Sequence, residues 1–254
     1  MTDSIGKPTL YVFSISHFCE KARFALDFFG VEHRVQPLAP GPHIKFCRSL
    51  GLQDTSVPVL VDGELALQGS AKIVDWAQAR HAAPGLNLEA KADTAACREI
   101  EARLDRDFGV HVRRYYYSEA LLSQPDKVRP MFCEGLPFME RLVIRLAWRK
   151  ICSAMIRGLD LGPEQGLESK AIVETELDWL DSLLSDGREF LVGDRFSRAD
   201  LAAASLLSTI ALPAEHPTYH SLSVPPGLQE DLDNWQQRPC IRWTQEMYRR
   251  YRRQ

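Results

Sequence analysis

The side chains best suited to chemistry lie early in the chain, in Ser14-Ile15-Ser16-His17-Phe18-Cys19. A thiol at the start of a helix can have its pKa lowered and become reactive. A hydroxyl in the same place can cap the helix or hydrogen-bond an anion. Ser16 and Ser14 are such hydroxyls, while Tyr11 is a more distant one inside an apolar strand. The six cysteines, at 19, 47, 97, 133, 152 and 240, include no C-x-x-C pair. Their irregular spacing argues against a zinc site or a disulfide framework and fits reduced thiols acting mostly as small buried hydrophobes. For Cys19 itself, the packed reading is favoured over the reactive one. His216 and His220 have i, i+4 spacing, but Pro217 argues against a helix presenting both, so no metal is expected. No H-E-x-x-H, G-x-S-x-G, phosphate-binding glycine loop or dinucleotide fingerprint occurs, which disfavours nucleophile-triad hydrolases and nucleotide enzymes.

The surrounding pattern shows what must position these groups. Leu10-Tyr11-Val12-Phe13 reads as a buried strand, followed by a helix with Phe18, Ala22, Leu26 and Phe29 on one face and Gly30 at its C-cap. Glu32–Leu38 reads as a second strand, ended by Pro40-Gly41-Pro42, with a short helix over 43–51. Val57-Pro58-Val59-Leu60-Val61 and Glu64-Leu65-Ala66-Leu67 flank Asp62-Gly63, a strong hairpin signal. Ser70 is a good N-cap for a helix that buries Ile73, Trp76 and Ala77. The resulting order is βαβαββα. Past a linker at His81–Leu88, everything reads as helix, with spans at 89–122, 126–158, 163–186, 197–211, 227–237 and 239–252. Phe196-Ser197-Arg198-Ala199-Asp200-Leu201 carries a capping box and a hydrophobic staple. The segment 213–227 reads as a surface loop with no assigned role.

Composition sets the bounds. A length of 254 residues, 45% of them hydrophobic and 26% charged, suits a globular protein of two domains, here 1–82 and 88–254. A net charge of −3 supplies no bulk field toward nucleic acid or an anionic membrane, so neither is expected as a partner. The basic and aromatic run Tyr248–Arg253 reads as a solvated last helical turn rather than a nucleic-acid site. Leu201–Ala214 is too short to span a bilayer and reads as a buried core helix. Met1–Lys7 has no basic-then-apolar leader, and the chain is expected in the cytoplasm.

Four features together resemble the cytosolic glutathione transferase superfamily over essentially the whole chain. They are Ser16–Leu26 as active-site turn and first helix, Val57-Pro58-Val59-Leu60 with a cis proline, Gly69-Ser70 opening a helix, and Ser197-x-x-Asp200. The resemblance implies a thioredoxin-like α/β N-terminal domain and an all-α C-terminal domain. It also implies glutathione as co-substrate without a metal, a homodimer, and a detoxification-type transferase acting on a small electrophile. Ser16, seven residues before Arg23, stands where serine-type members carry the catalytic hydroxyl; capping alone is the alternative. Lowering a thiol pKa of about 8.5 by two units needs about 2.7 kcal/mol. A hydrogen bond to a charged group supplies about 1.5–3 kcal/mol and a helix N-terminus about 0.3–1 kcal/mol, so no base is required.

By the same resemblance, the Val57 backbone beside Pro58 would pair with the cysteinyl part of glutathione, and Ser70 would hold the γ-glutamyl carboxylate. Lys45 or His43 would meet the glycyl carboxylate. Phe18, Tyr116 and Tyr117 would face the electrophile, the last two in the run Arg113-Arg114-Tyr115-Tyr116-Tyr117. The sequence departs from the family at Gly69, where many members carry an acidic residue or Gln for the γ-glutamyl ammonium; Gln68 is the nearest substitute. Two alternatives stay open. One is a non-catalytic relative that binds a ligand or partner. The other is a thiol oxidoreductase using Cys19, which occupies the second position of a thioredoxin-like C-x-x-C whose first is Ser16.

Overall fold

A computed structural model describes residues 6–80, 88, 94–219 and 224–252. The linker expected at His81–Leu88, the first residues of the 89–122 helix, and His220 therefore lie almost wholly outside the described residues. The chain divides into two compact units, the first of residues 1–86 and 129–151, the second built chiefly of 87–128 and 152–252.

In the first unit the elements are β1 (Thr9–Val12), α1 (His17–Phe28), β2 (Arg34–Pro37), α2 (Pro42–Ser49), β3 (Val59–Asp62), β4 (Leu65–Gln68) and α3 (Ser70–Arg80). The sheet order is β2-β1-β3-β4, with β1 and β2 parallel and the other pairs antiparallel. This is the thioredoxin-like βαβαββα arrangement. Alternation along β1 buries Leu10 and Val12 on one face, while Tyr11 on the other meets Phe46 of α2 at 4.2 Å between ring centroids. The hairpin loop is Gly63-Glu64 rather than Asp62-Gly63, because Asp62 still pairs with Leu65. Gly63 takes φ +62 at the first loop position, which suits a two-residue hairpin. Gly30, at φ +65, ends α1 as expected, and Val31 N–H donates to the Leu26 carbonyl at 2.8 Å.

The expected helix over 126–158 is two helices, α6 (Pro125–Cys133) and α7 (Phe138–Gly158). The chain turns between them at Gly135, φ +73, and Pro137 cannot continue a helix from α6. Gly135 packs on Pro37, where an added Cβ would stand 2.7 Å from the proline ring.

The second unit is helical throughout its described elements. The expected 89–122 helix comprises α4 (Thr94–Arg103), a π-helical turn (Leu104–Gly109) and α5 (Val110–Ser123). After them come α8 (Pro163–Leu184), α9 (Arg198–Ala211), α10 (Pro226–Trp235) and α11 (Pro239–Tyr251). Helix α9 is buried along nearly its whole length, which explains its apolar sequence. Its start is held by the anticipated capping box. The Asp200 carboxylate accepts from the backbone N–H of Ser197 and of Leu191, both at 2.7 Å, and from the Ser197 hydroxyl at 2.5 Å. Next to it the fully buried Arg198 pairs with Glu101 of α4 at 2.5 Å.

Truncating Asp200 leaves buried donors unsatisfied at about 1–3 kcal/mol each. Asp200→Ala is therefore expected to lower unfolding free energy by about 3 kcal/mol in urea titrations. Burial pushes the Asp200 pKa up to about 6, above its unfolded value, so the native state holds that proton more tightly. This group's contribution accordingly falls as pH rises from about 4 through 6, and Asp200→Asn is expected to remove that part of the pH dependence.

Candidate active site

The sheet register gathers Ser16, Val57-Pro58 and Gly69-Ser70 at one end. Tyr11 of β1 is opposite Val59, and Val59 in turn is opposite Gln68 of β4. The chain therefore leaves β1 toward Ser16, enters β3 from Val57-Pro58, and leaves β4 into Gly69-Ser70, all at the same end. The Val57–Pro58 bond is cis, as the resemblance implied. Gly69 N–H donates to the Pro58 carbonyl at 3.0 Å, which ties the start of α3 to the proline turn. Helices α1 and α3, which pack against each other, both begin at this edge. Two helix N-termini there make it favourable for anions.

Ser16 is the N-cap of α1, its hydroxyl oxygen accepting from Cys19 N–H at 3.3 Å. Capping uses a lone pair and leaves the hydroxyl proton to be donated, so both roles weighed for Ser16 are geometrically compatible. Ser14 instead donates its hydroxyl proton to the Glu134 carbonyl at 3.1 Å. That contact joins positions 120 apart in sequence, and no local pattern announces it. Phe13 packs against His43 at 4.9 Å and Phe132 at 6.3 Å.

Cys19 is fully buried, and burial pushes its thiol up to about 11, against the smaller opposing pull of the Ser16 hydroxyl and the Phe13 backbone. Its place near the helix N-terminus does not make it a thiolate, because desolvation outweighs the hydrogen bonds that oppose it.

The glutathione-binding candidates fare differently from one another. Ser70 is buried at the first turn of α3. Gly69 has φ +99, and a Cβ added there would meet nothing within 4 Å. The backbone conformation, not a shortage of space, is what favours glycine at this position. Gln68 donates its amide to the carbonyls of Asp54 at 3.1 Å and Ser56 at 2.7 Å. Its donors therefore hold the loop that leads into Pro58. Lys45 is exposed on α2 and makes no ion pair among the described residues. His43 Nδ1 accepts from Gly41 N–H at 3.0 Å, and burial lowers the ring's pKa, so it favours the neutral form. This makes His43 the poorer of the two candidates for a glycyl carboxylate. Phe18 is half-buried at the start of α1, with its ring 4.6 Å from that of His17.

In the helical unit, Tyr117 is buried and Tyr116 half-buried, their rings 5.3 Å apart. Burial pushes the Tyr116 hydroxyl up to about 12 and Tyr117 higher still, so neither serves as a base near neutrality. Tyr115 hydrogen-bonds Asp231, which also pairs with Lys170 at 2.6 Å, so it is a structural link between helices. His216 stacks on Tyr219 at 3.5 Å, and its Nδ1 accepts from the backbone N–H of Thr218 and Tyr219, both at 3.2 Å. It thereby orders part of the 213–227 loop. No cluster of metal-ligating side chains occurs among the described residues.

Two family models match the chain, "Glutathione S-transferase, N-terminal domain" over residues 10–85 and "Glutathione S-transferase, C-terminal domain" over 161–215. Together they cover just over half of it. The chain belongs to the glutathione transferase superfamily. Residues 86–160, which include α6 and α7, lie between the two matches. Glutathione transferase GSTFuA3 of Phanerochaete chrysosporium shares the fold at TM-score 0.64 and 16% identity, with 98% of each chain covered. The beta-etherase LigF of Sphingobium sp. aligns at TM-score 0.60 and 18% identity, covering 95% of this chain and 99% of that one. A Methylobacterium radiotolerans glutathione S-transferase in complex with glutathione sulfonate aligns at TM-score 0.54 and 17% identity over 93% of each chain. No curated protein matches the sequence. Within this superfamily fold, the segments converging at the sheet end are the ones the sequence nominated.

Cys19 in the native protein is expected to resist iodoacetamide near neutral pH and to react readily in urea, read by peptide mass spectrometry. Gly69→Ala is expected to cost about 1 kcal/mol or more, because alanine there adopts the left-handed region without relief, measured by chemical denaturation.

Proposed function

We propose that this protein is a glutathione transferase in which the Ser16 hydroxyl stabilises the thiolate of glutathione for attack on a small electrophile. The observation that carries this reading is the common placement of Ser16, the cis Val57–Pro58 bond and Ser70 at one end of the sheet. In the proposed complex, Ser16 caps α1 through its oxygen and donates its proton to the glutathione sulfur. The Val57 backbone pairs with the cysteinyl part, the N-terminus of α3 with Ser70 receives the γ-glutamyl carboxylate, and Lys45 faces the glycyl carboxylate. Conjugation and thiolytic ether cleavage, the latter suggested by the beta-etherase neighbour, both begin with this thiolate. A cytoplasmic homodimer is the form that the family reading carries.

One observation favours a second reading, a non-catalytic ligand- or partner-binding relative. Gly69 offers no side chain to the γ-glutamyl ammonium, and the Gln68 amide is engaged with Asp54 and Ser56. The oxidoreductase alternative is disfavoured by the burial of Cys19.

Calorimetric titration with reduced glutathione separates the first two readings. Binding at millimolar concentration or tighter is expected, with an ultraviolet thiolate signal near neutral pH. Ser16→Ala is expected to keep the fold and the binding but lose about 10- to 100-fold in turnover, the effect of one hydrogen bond worth about 1.5–3 kcal/mol. Absence of binding would support the non-catalytic reading, and full turnover in Ser16→Ala would remove the serine from the mechanism.

A further inference from the structure

Helix α7 is apolar on two opposite faces. Ile144, Trp148 and Cys152 are buried on one of them. On the other, Phe138 is 68% exposed, Met139 65%, Leu142 37%, Val143 51% and Leu146 80%. Their spacing of i, i+1, i+4, i+5 and i+8 makes them a single stripe over the first half of the helix. Scattered exposed apolar residues are ordinary, but five large ones on one helical face form a contiguous patch.

Charge distinguishes among possible occupants of that patch. The exposed Arg145, Arg149 and Lys150 continue the same face toward the C-terminus, and exposed Arg141 flanks it. Between Phe138 and Gly158 the chain carries five cationic side chains and one carboxylate, a net +4, while all 254 residues together carry −3. The rest of the molecule is therefore at −7, and the bulk charge conceals a local cationic concentration. Pairing two copies through this face would bring together two segments of like sign, which is unfavourable. A surface that is apolar beneath and anionic above suits it better, since bulky apolar side chains next to arginines are the signature of interfacial helices.

We propose that the Phe138–Lys150 face of α7 docks the protein on an anionic lipid surface. Phe138, Met139, Leu142, Val143 and Leu146 enter the boundary between headgroups and acyl chains, and Arg145, Arg149 and Lys150 meet the lipid phosphates. Docking of this kind needs no membrane-spanning segment, and no described helix is long and apolar enough to be one. Such contact is local to one helix and is compatible with the bulk charge of −3.

The test is flotation of the full-length protein with phosphatidylcholine vesicles, with and without phosphatidylglycerol. Partition is expected to be at least tenfold stronger on the anionic vesicles and to fall at high salt. The exposed double substitution Phe138→Asp/Leu146→Asp is expected to reduce it at least tenfold, and Arg145→Gln/Lys150→Gln about 30-fold. Unchanged melting temperature and glutathione affinity in these variants separate loss of docking from loss of fold or of the proposed activity. Absence of wild-type binding to anionic vesicles, or binding that survives Phe138→Asp/Leu146→Asp, overturns the proposal. A halved solution mass in that variant also overturns it, by showing that the face joins two copies of the chain.

Discussion

The antiparallel pairing of β3 with both β1 and β4 is the constraint on which the candidate site depends. The register Tyr11–Val59–Gln68 runs across three strands and sets which residues emerge together at the sheet end. A slip of one residue along β3 would exchange the faces of Val59 and Leu60, both buried, and carry Val57-Pro58 away from the Ser16 turn. The residues that fix this register are mostly ordinary core residues, Leu10, Val12, Val59 and Leu60, all buried. The burial of these side chains and the convergence of polar groups at the sheet end thus depend on the same register.

At that end the same backbone features serve structure and chemistry together. A helix N-terminus must satisfy its free N–H groups, and Ser16 does so for α1 while keeping a proton to donate. The burial that fixes α1 against the sheet also raises the Cys19 pKa, so the thiol stays protonated while the Ser16 hydroxyl remains at the α1 N-cap. Gly69 is explained by its φ of +99 and by its hydrogen bond to Pro58, and the missing side chain is a consequence of that turn. Gln68, one residue earlier, faces the loop at 54–56.

Residues 129–151 belong to the first compact unit although they lie far beyond its other residues in sequence. They supply Glu134, whose carbonyl engages Ser14, and Phe132, which packs on Phe13 and Trp148. The turn supporting the candidate active site is therefore buttressed by a helical excursion. The outward face of α7 in that excursion concentrates positive charge in a chain of net negative charge.

The sequence by itself determined the βαβαββα order of the first 80 residues, the Gly30 helix stop and the Ser197–Asp200 capping box, because each depends on residues within a few positions of one another. It also nominated Ser16, Pro58 and Ser70, through the order of motifs resembling a family. Other features needed the tertiary structure. Periodicity read 126–158 as one helix, since both α6 and α7 have helical spacing, and the turn at Gly135 to Pro137 divides it. Whether Cys19 is reactive turns on desolvation, and whether Gln68 is available turns on a carbonyl 14 residues away. The stripe on α7 has the same helical spacing whether it is buried or bare. Local residue types set turns, caps and periodicity, whereas burial and long-range hydrogen bonds arise only when distant segments meet, and those two quantities decide which of the nominated side chains can act.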